Sequence, residues 1–592
     1  MLSDTKIIAR LLAQQWFGGL VSPRWWSSQW LLEALTSVLG EKAPAISGAP
    51  AERQQDALLL DHVLPALRLD SSYSVRAVAS PRLEKADIES ATDELSLHKG
   101  AAIVSMAIEA AGQEAGRAAL SRLLRDHHAA SADARDLWRA LQRDGDEAPP
   151  HAWDGWCERA GYPLLCARAV GDDVLVRQER FVMTADPPDP EPVISNHLLT
   201  FDLRAELEDL FFEPENFTEI TEEDLNATTT TTPLPTTTTT IKTTKPPPMP
   251  KWVIPVTFSV GPIVEEEMEN ITKLWKNSTE SLQNGTWYDV VNDTKHTSKW
   301  LENVTYLIWM NDTEMVIPEL GKHKWVRYNV GARGLYRVAP QDRNVGESAE
   351  SAAKRAEELY ESGEPAERAL LLDDAFVLSR AGRLPASRAI AAAAHLTTER
   401  HWAVWRVVVT HLSWWRELLR VSASGPHLQE LLSTLPPTLA LYSNQELLDP
   451  GIDEDQLWLS GALLTAGVEW GNENVTNQAL ELFEAWMNEN ETIPDIYQEA
   501  AFTAGIRHHG ETAWRACWRT LLASYRAPRP VLKHSALLSA LSSAEDDWLL
   551  YRFAYTVLSS EAQRGREWKM WVTALCAGVC RYGAAQREYG EY

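Results

Sequence analysis

Ile7-Ile8-Ala9-Arg10-Leu11-Leu12-Ala13-Gln14-Gln15-Trp16-Phe17-Gly18-Gly19, followed by Pro23-Arg24-Trp25-Trp26 and Gln29-Trp30-Leu31-Leu32-Glu33, decides how the rest of this chain is read. Periodicity alone predicts an amphipathic helix and then a tryptophan-rich turn. A second helix is predicted to begin at Ser28 or Gln29, with Trp30, Leu31, Leu35 and Leu39 at helical spacing.

The order of these residues resembles the gluzincin core of the M1 zinc aminopeptidases of the aminopeptidase N type. That family reads His-Glu-x-x-His-Gln-Trp-Phe-Gly, with a glutamate 19 residues beyond the second His. The spacing has a mechanical reason. Two His at i and i+4 share one helix face and bind one Zn²⁺, and the Glu beside the first His takes a proton from the bound water. The resemblance puts Arg10 at the first ligand, Leu11 at the general base and Gln14 at the second ligand, and keeps only Glu33 unchanged. Arginine has no lone pair for a metal, leucine takes no proton, and glutamine offers a neutral oxygen. Catalytic zinc ordinarily has three protein ligands, so one carboxylate does not make a site. Gln15-Trp16-Phe17-Gly18 and Trp25-Trp26 persist around the altered positions. Arg10 is expected to pair with Glu33, because a lone buried carboxylate is costly and a guanidinium can neutralise it.

A second segment, Leu95-Ser96-Leu97-His98-Lys99-Gly100-Ala101, is similar to the family's Ser-Tyr-x-Lys-Gly-Ala. There the Tyr donates to the oxyanion formed on the scissile carbonyl. Leu97 stands at that position. His98 is adjacent, but it lies on a different helix face. His127-His128 reads as a solvated helix end.

Composition bounds the remainder. The 592 residues are 45% hydrophobic and 23% charged, a globular composition long enough for three or four domains. A net charge of -27 excludes the basic footprint that nucleic acid requires. No apolar run reaches the length of a transmembrane segment. Most of the 25 tryptophans are expected in cores, with a sugar or small-molecule platform as the sharper reading for a few. The five cysteines are Cys157, Cys166, Cys517, Cys576 and Cys580, an odd number that leaves at least one thiol unpaired within the chain. Buried small hydrophobes are the expected role, for Cys576 and Cys580 included.

Ten Asn-x-Ser/Thr sequons occur, at Asn216, Asn226, Asn270, Asn277, Asn284, Asn292, Asn303, Asn311, Asn474 and Asn490. Eight of them fall between Asn216 and Asn311, which suggests a glycosylated segment of a secretory-pathway protein, extracellular or on the cell surface. Met1 opens no signal peptide, because Asp4, Lys6 and Arg10 interrupt the apolar stretch. The family's N-terminal β-domain and its Gly-x-Met-Glu-Asn strand, which holds the substrate α-amino group, have no counterpart here. The expectation is therefore a fragment, a truncated gene model or a degenerate paralogue.

The fold class expected is mainly α with a small β-sandwich. Residues 1–162 form a helical remnant of the catalytic domain, with helical runs at Asp56–Asp61 and Ala118–Leu124, and Asp136-Leu137-Trp138 and Gly161-Tyr162-Pro163 near its end. Residues 163–343 form the sandwich. Val174-Leu175-Val176 with Arg177–Phe181, then Lys251–Phe258, then Trp325–Gly331 with Gly334–Val338 are its strand-like segments. The last pair resembles the family's Asn-Val-Gly-x-x-Gly-Tyr-Tyr-Arg-Val. Twelve threonines, at Thr228–Thr232, Thr236–Thr240 and Thr243–Thr244, lie among prolines within an insertion at about 206–250 and read as an O-glycosylated tether. Residues 344–592 are helical. Leu370–Gly382 resembles the family's Leu-Ile-Asp-Asp-Ala-Phe-x-Leu-Ala-Arg-Ala-Gly, and Asp547–Arg552 looks like a further helix. Together these imply the C-terminal α-solenoid of the endoplasmic-reticulum-aminopeptidase type, incomplete at its end. Its concave face is the expected place for peptides or a protein ligand.

Three functional readings follow. The first is a catalytically inactive M1-like ectoprotein acting as a binding or scaffold module, with no cofactor. The second is a zinc metalloaminopeptidase that removes N-terminal residues through a site rebuilt from other residues. No His-x-x-x-His pair occurs in the chain to support it. The third is a gene product without function, which the intact hydrophobic patterning argues against. No Gly-x-Ser-x-Gly elbow, P-loop or paired Cys-x-x-Cys points to another enzyme class.

Overall fold

In the computed structural model, the residues described are chiefly 2–46, 51–80, 93–142, 151–183, 251–262, 304–339 and most of 360–558. The eight sequons from Asn216 to Asn311 lie outside them, except Asn311, and so do the Thr/Pro tether, Cys576 and Cys580.

The first helix, α1 (Leu2–Ala13), is followed by a tight turn. Gly18 makes that turn, at φ +127°, and its N–H bonds Val21 O at 2.8 Å. Phe17 and Val21 are thereby buried while Trp16 stays exposed. A single 3-10 turn, Trp26–Ser28, leads into α2 (Gln29–Ile46), which starts where the spacing predicts. Next come α3 (Ala51–Leu58), continued by a π-turn at Leu59–Val63, and α4 (Leu64–Leu69). The longest helix of this region besides α2 is α5 (Glu94–Ala111), whose cap, Asp93, accepts from Ser96 N at 2.8 Å. Three more helices follow: α6 (Gln113–Asp126), α7 (Ala134–Leu141) and α8 (Asp154–Glu158). Asp133 and Asp136 close a reciprocal capping box on α7. A short parallel ladder, Ser22↔Ser131 and Pro23↔Ala132, ties the tryptophan turn to the segment before α7, and no sequence pattern predicts it.

Two small antiparallel-rich sheets face each other next. The strands are β1 (Pro163–Val170), β2 (Asp173–Arg180), β3 (Ile254–Val260), β4 (Tyr306–Met310), β5 (Glu314–Ile317), β6 (Val326–Tyr328) and β7 (Arg337–Ala339). One sheet has the order β5-β2-β1-β7 and the other β4-β3-β6. Strand β1, which weak alternation hides in the sequence, pairs with β2 along its whole length, from Pro163↔Arg180 to Val170↔Asp173. Strand β7 lies parallel to β1, with Leu164 opposite Arg337.

From Pro365 on, the described chain is helical. The helices are α9 (Pro365–Arg380), α10 (Ala386–Ala392), α11 (Trp402–Leu419), α12 (Gly425–Thr434), α13 (Glu454–Glu469), α14 (Glu473–Glu484), α15 (Gln498–His509), α16 (Glu511–Ser524), α17 (His534–Leu541) and α18 (Asp547–Leu558). One hydrophobic core runs from Phe17 through the sandwich to Trp470, and a second holds Leu464 to Phe553. Trp30, Trp156, Trp252, Trp405, Trp470 and Trp514 are fully buried, as expected of core tryptophans, whereas Trp16, Trp25, Trp26, Trp458 and Trp548 are exposed. Cys157 and Cys517 are buried free thiols, and burial pushes the Cys517 thiol up to about 12. Among the described residues, no helix is long and apolar enough to cross a membrane.

Candidate functional site

Arg10 is on the last turn of α1 and Glu33 is on the second turn of α2. The Arg10 guanidinium donates to Glu33 Oε2 at 2.7 Å, the pairing expected from charge neutralisation. Gln29, one turn earlier on α2, reaches Glu33 Oε1 at 3.5 Å. Gln14 lies just past the last helical residue, its N–H still bonded to Arg10 O at 3.0 Å. Leu11 is 55% exposed. A divalent ion held by Glu33 would meet a guanidinium rather than an imidazole. The residues at these positions do not fit a zinc ion, and no reaction step is derived through one. Among the described residues, no three His, Cys, Asp or Glu side chains converge on a metal position.

Leu97 lies on the first turn of α5 and is partly buried. Its neighbours hold the segment against the rest of the helical region. Gly100 lets α5 approach α2 closely: a Cβ there would sit 3.1 Å from both Trp30 and Ala34. The Lys99 side chain is fully buried, with Nζ 2.7 Å from Asp70 Oδ2, and it donates to the carbonyls of Arg159 and Gly161 at 3.0 and 3.2 Å. Asp70 Oδ1 in turn accepts from Gly161 N at 2.9 Å. Lys99 and Gly161 of two separate sequence motifs thus form one structural latch.

His98 turns towards the π-turn after α3. Its Nδ1 is 3.4 Å from His62 Nδ1. His62 Nε2 lies 3.6 Å from Glu41 Oε1, and Lys6 Nζ holds Glu41 Oε2 at 2.6 Å. Burial and the neighbouring His62 both lower the His98 pKa. His127 caps the end of α6 and its Nδ1 is 3.0 Å from Ser131 O, a structural role for a residue read as a solvated end.

The remaining motifs converge on the junction of the helical region, the sandwich and the C-terminal helices. Arg337 of β7 is only 2% exposed. Its Nη1 donates to Asp373 Oδ2 and Asp374 Oδ1 of α9, both at 2.6 Å, and its Nε donates to Tyr162 Oη at 3.1 Å. His411 of α11 completes the group, with Nε2 2.7 Å from Asp373 Oδ1. Burial raises the Tyr162 phenol far above its usual range. Burial also works against the Asp373 carboxylate, but Arg337 and His411 outweigh it and hold that carboxyl well below the usual range. Asp374 is pushed up to about 7 by burial, against the pull of Arg337. Nearby, Asn329 takes a left-handed conformation at φ 57° and bonds Gly334 O and Tyr336 O at 3.0 and 3.2 Å. Gly331 N donates to Glu367 at 2.7 Å, binding the loop to the start of α9. A cavity of about 350 Å³ opens beside this loop, lined by Met106, Glu109, Thr257, Leu307, Arg333 and Glu364 among others.

Comparison with known proteins agrees with this layout. Residues 2–156 match the peptidase family M1 domain, and residues 325–587 match the ERAP1-like C-terminal domain. The chain is 22% identical over 577 residues to the thyrotropin-releasing hormone-degrading ectoenzyme of Rattus norvegicus, covering 95% of this chain and 45% of that protein. It is 22% identical over 552 residues to glutamyl aminopeptidase of Rattus norvegicus, covering 92% and 47%. It is 21% identical over 565 residues to aminopeptidase M1 of Arabidopsis thaliana, covering 94% and 53%. On these matches the chain is similar over most of its length to M1 aminopeptidases, with an M1 peptidase domain match at its start and an ERAP1-like C-terminal domain match after it. It spans about half the length of the curated relatives it matches.

Proposed function

We propose that this chain is an M1-family binding or scaffold module without peptidase activity. The observation that carries the reading is the Arg10–Glu33 ion pair, at the place the family resemblance gives to the metal. Three supports stand beside it: Leu11 offers no general base, Leu97 offers no oxyanion donor, and Gln14 offers a neutral oxygen where the family has an imidazole. The concave face of the C-terminal helices is the proposed binding surface for peptides or a protein ligand, within domains bounded at about 162 and 343. The sequons support an extracellular or cell-surface location. N-glycosidase treatment of protein from a eukaryotic host should lower its mass clearly, and an unchanged mass contradicts that location.

The test of inactivity is reconstruction. Arg10→His, Leu11→Glu and Gln14→His, with Glu33, restore a His₂Glu set and its base. Leu97 still supplies no oxyanion donor, and one such donor is worth on the order of 100- to 1000-fold in rate. The triple variant is therefore expected to show no robust turnover of an aminoacyl-arylamide with zinc present. Chelator-sensitive turnover would overturn the reading that more than the metal set is missing.

A further inference from the structure

The charges of the buried network at the junction do not balance. Arg337 brings one cation to two carboxylates, Asp373 and Asp374, and none of the three is more than 6% exposed. Every carboxylate oxygen is engaged. Arg337 Nη1 donates to one oxygen of each aspartate, His411 Nε2 lies against Asp373 Oδ1, and Val338 N donates to Asp374 Oδ2 at 3.0 Å. With both aspartates ionised and the imidazole neutral, one negative charge is left uncompensated out of water, a costly state. One added proton removes it, and a proton on the imidazole leaves all four contacts in place. We infer that the junction binds one proton at neutral pH, shared between Asp374 and His411, and that its release as pH rises loosens the sandwich from the C-terminal helices.

The surroundings supply no other compensating charge of equal weight. Tyr162 Oη accepts from Arg337 Nε, and burial keeps its phenol protonated. Arg380, on the last turn of α9, acts on Asp373 and is itself faced by Arg68 of α4. Both arginines are exposed, and Arg380 lies over the Trp414 ring at 3.9 Å, so water screens its charge. Arg383 is paired with Glu179 of β2. The His411 ring is held in place by stacking on Phe376, with centroids 5.2 Å apart. Burial raises Asp374 to about 7, and in so tight a cluster the proton belongs to the group rather than to one residue. An unfolded aspartate has released its proton well below neutrality, at about 3.9. The folded cluster keeps one, so this stabilisation is present below neutral pH and is lost as pH rises through about 7. The direction is opposite to that of Asp373, whose contribution fails in acid. The device joins β7 to α9 and α11 and is independent of whether the chain is a peptidase.

The experiment is hydrogen exchange of the full chain, read by mass spectrometry in peptides covering β7 and α9, with Asp374→Asn measured beside it at each pH. That variant removes one negative charge at nearly constant shape, so the cluster balances without the proton. The ratio of wild-type to variant exchange rates cancels the intrinsic pH dependence of exchange. From about pH 6.5 to about pH 8.5 this ratio should rise on the order of tenfold, as expected for linkage to a single proton. A ratio that stays flat or falls overturns the proposal. Circular dichroism establishes that the variant is folded. Where it is not, Asp373→Asn removes the same charge and should give the same rise, and a flat or falling ratio against that variant overturns the proposal equally. A purely structural role for either aspartate would change the ratio by the same factor at every pH.

Discussion

Two polar clusters in this molecule are built from family-like motifs, and they differ in what has been kept. At the positions the resemblance gives to the metal and its base stand Arg10, Leu11 and Gln14, and one partly exposed ion pair joins Arg10 to Glu33. At the junction, Tyr162, Arg337, Asp373, Asp374 and His411 form a continuous buried network across three parts of the chain. The contrast teaches what each cluster is for. The Arg10–Glu33 pair is partly exposed, so a change there leaves no fully buried charge behind. In the buried ionic junction, removing one partner leaves an uncompensated charge. The same division runs through a single segment: Leu97 stands where the resemblance expects a tyrosine, whereas Lys99 and Gly100 make the contacts that lock α5 in place.

The largest expected effect falls at the junction. Arg337→Met strands two buried aspartates, and the loss should be about 3–5 kcal/mol, read by urea denaturation. A loss below about 1 kcal/mol would show that the network does not hold the three parts together. Lys99→Met is next, at about 3 kcal/mol by the same argument, because Asp70 is left buried without its cation. Gly100→Ala should cost about 1–3 kcal/mol through overpacking against Trp30 and Ala34. Acid sharpens the comparison from another side. Asp373 is depressed in the folded chain, so its stabilisation is present above the ordinary carboxylate range and is lost as pH falls through and below it. Asp373→Asn should flatten the acid limb of a stability–pH curve, and an unchanged limb would contradict the assignment. The smallest effects belong to the other cluster. Glu33→Ala should change stability by about 1 kcal/mol or less, since the pair is partly exposed and solvent-screened. Leu97→Tyr should do the same, and a loss comparable to that of Lys99→Met would erase the distinction.

Much of this was legible in the sequence, for reasons particular residues make plain. The start of α2 follows from spacing, whereas the Arg10–Glu33 pairing and the mainly helical class with a small sandwich were expected from the resemblance to the M1 family. Asn329, Arg337 and the Asp373-Asp374 pair were visible as motif letters, but that they meet was not, because 36 residues separate Arg337 from Asp373 and only packing joins them. Strand β1 escaped because it is apolar on both faces near its start and does not alternate. The His62–His98 pair gave no local signal: its members are 36 positions apart, on an irregular π-turn and a helix.

The central claim is that the chain keeps the shape of an M1 aminopeptidase while the Arg10–Glu33 region has no catalytic chemistry. Its most direct test is a turnover assay of the unmodified full chain on a panel of aminoacyl-arylamides with added zinc, with and without chelator. The account predicts no chelator-sensitive hydrolysis above the protein-free blank. Chelator-sensitive hydrolysis that disappears in Glu33→Ala would contradict it.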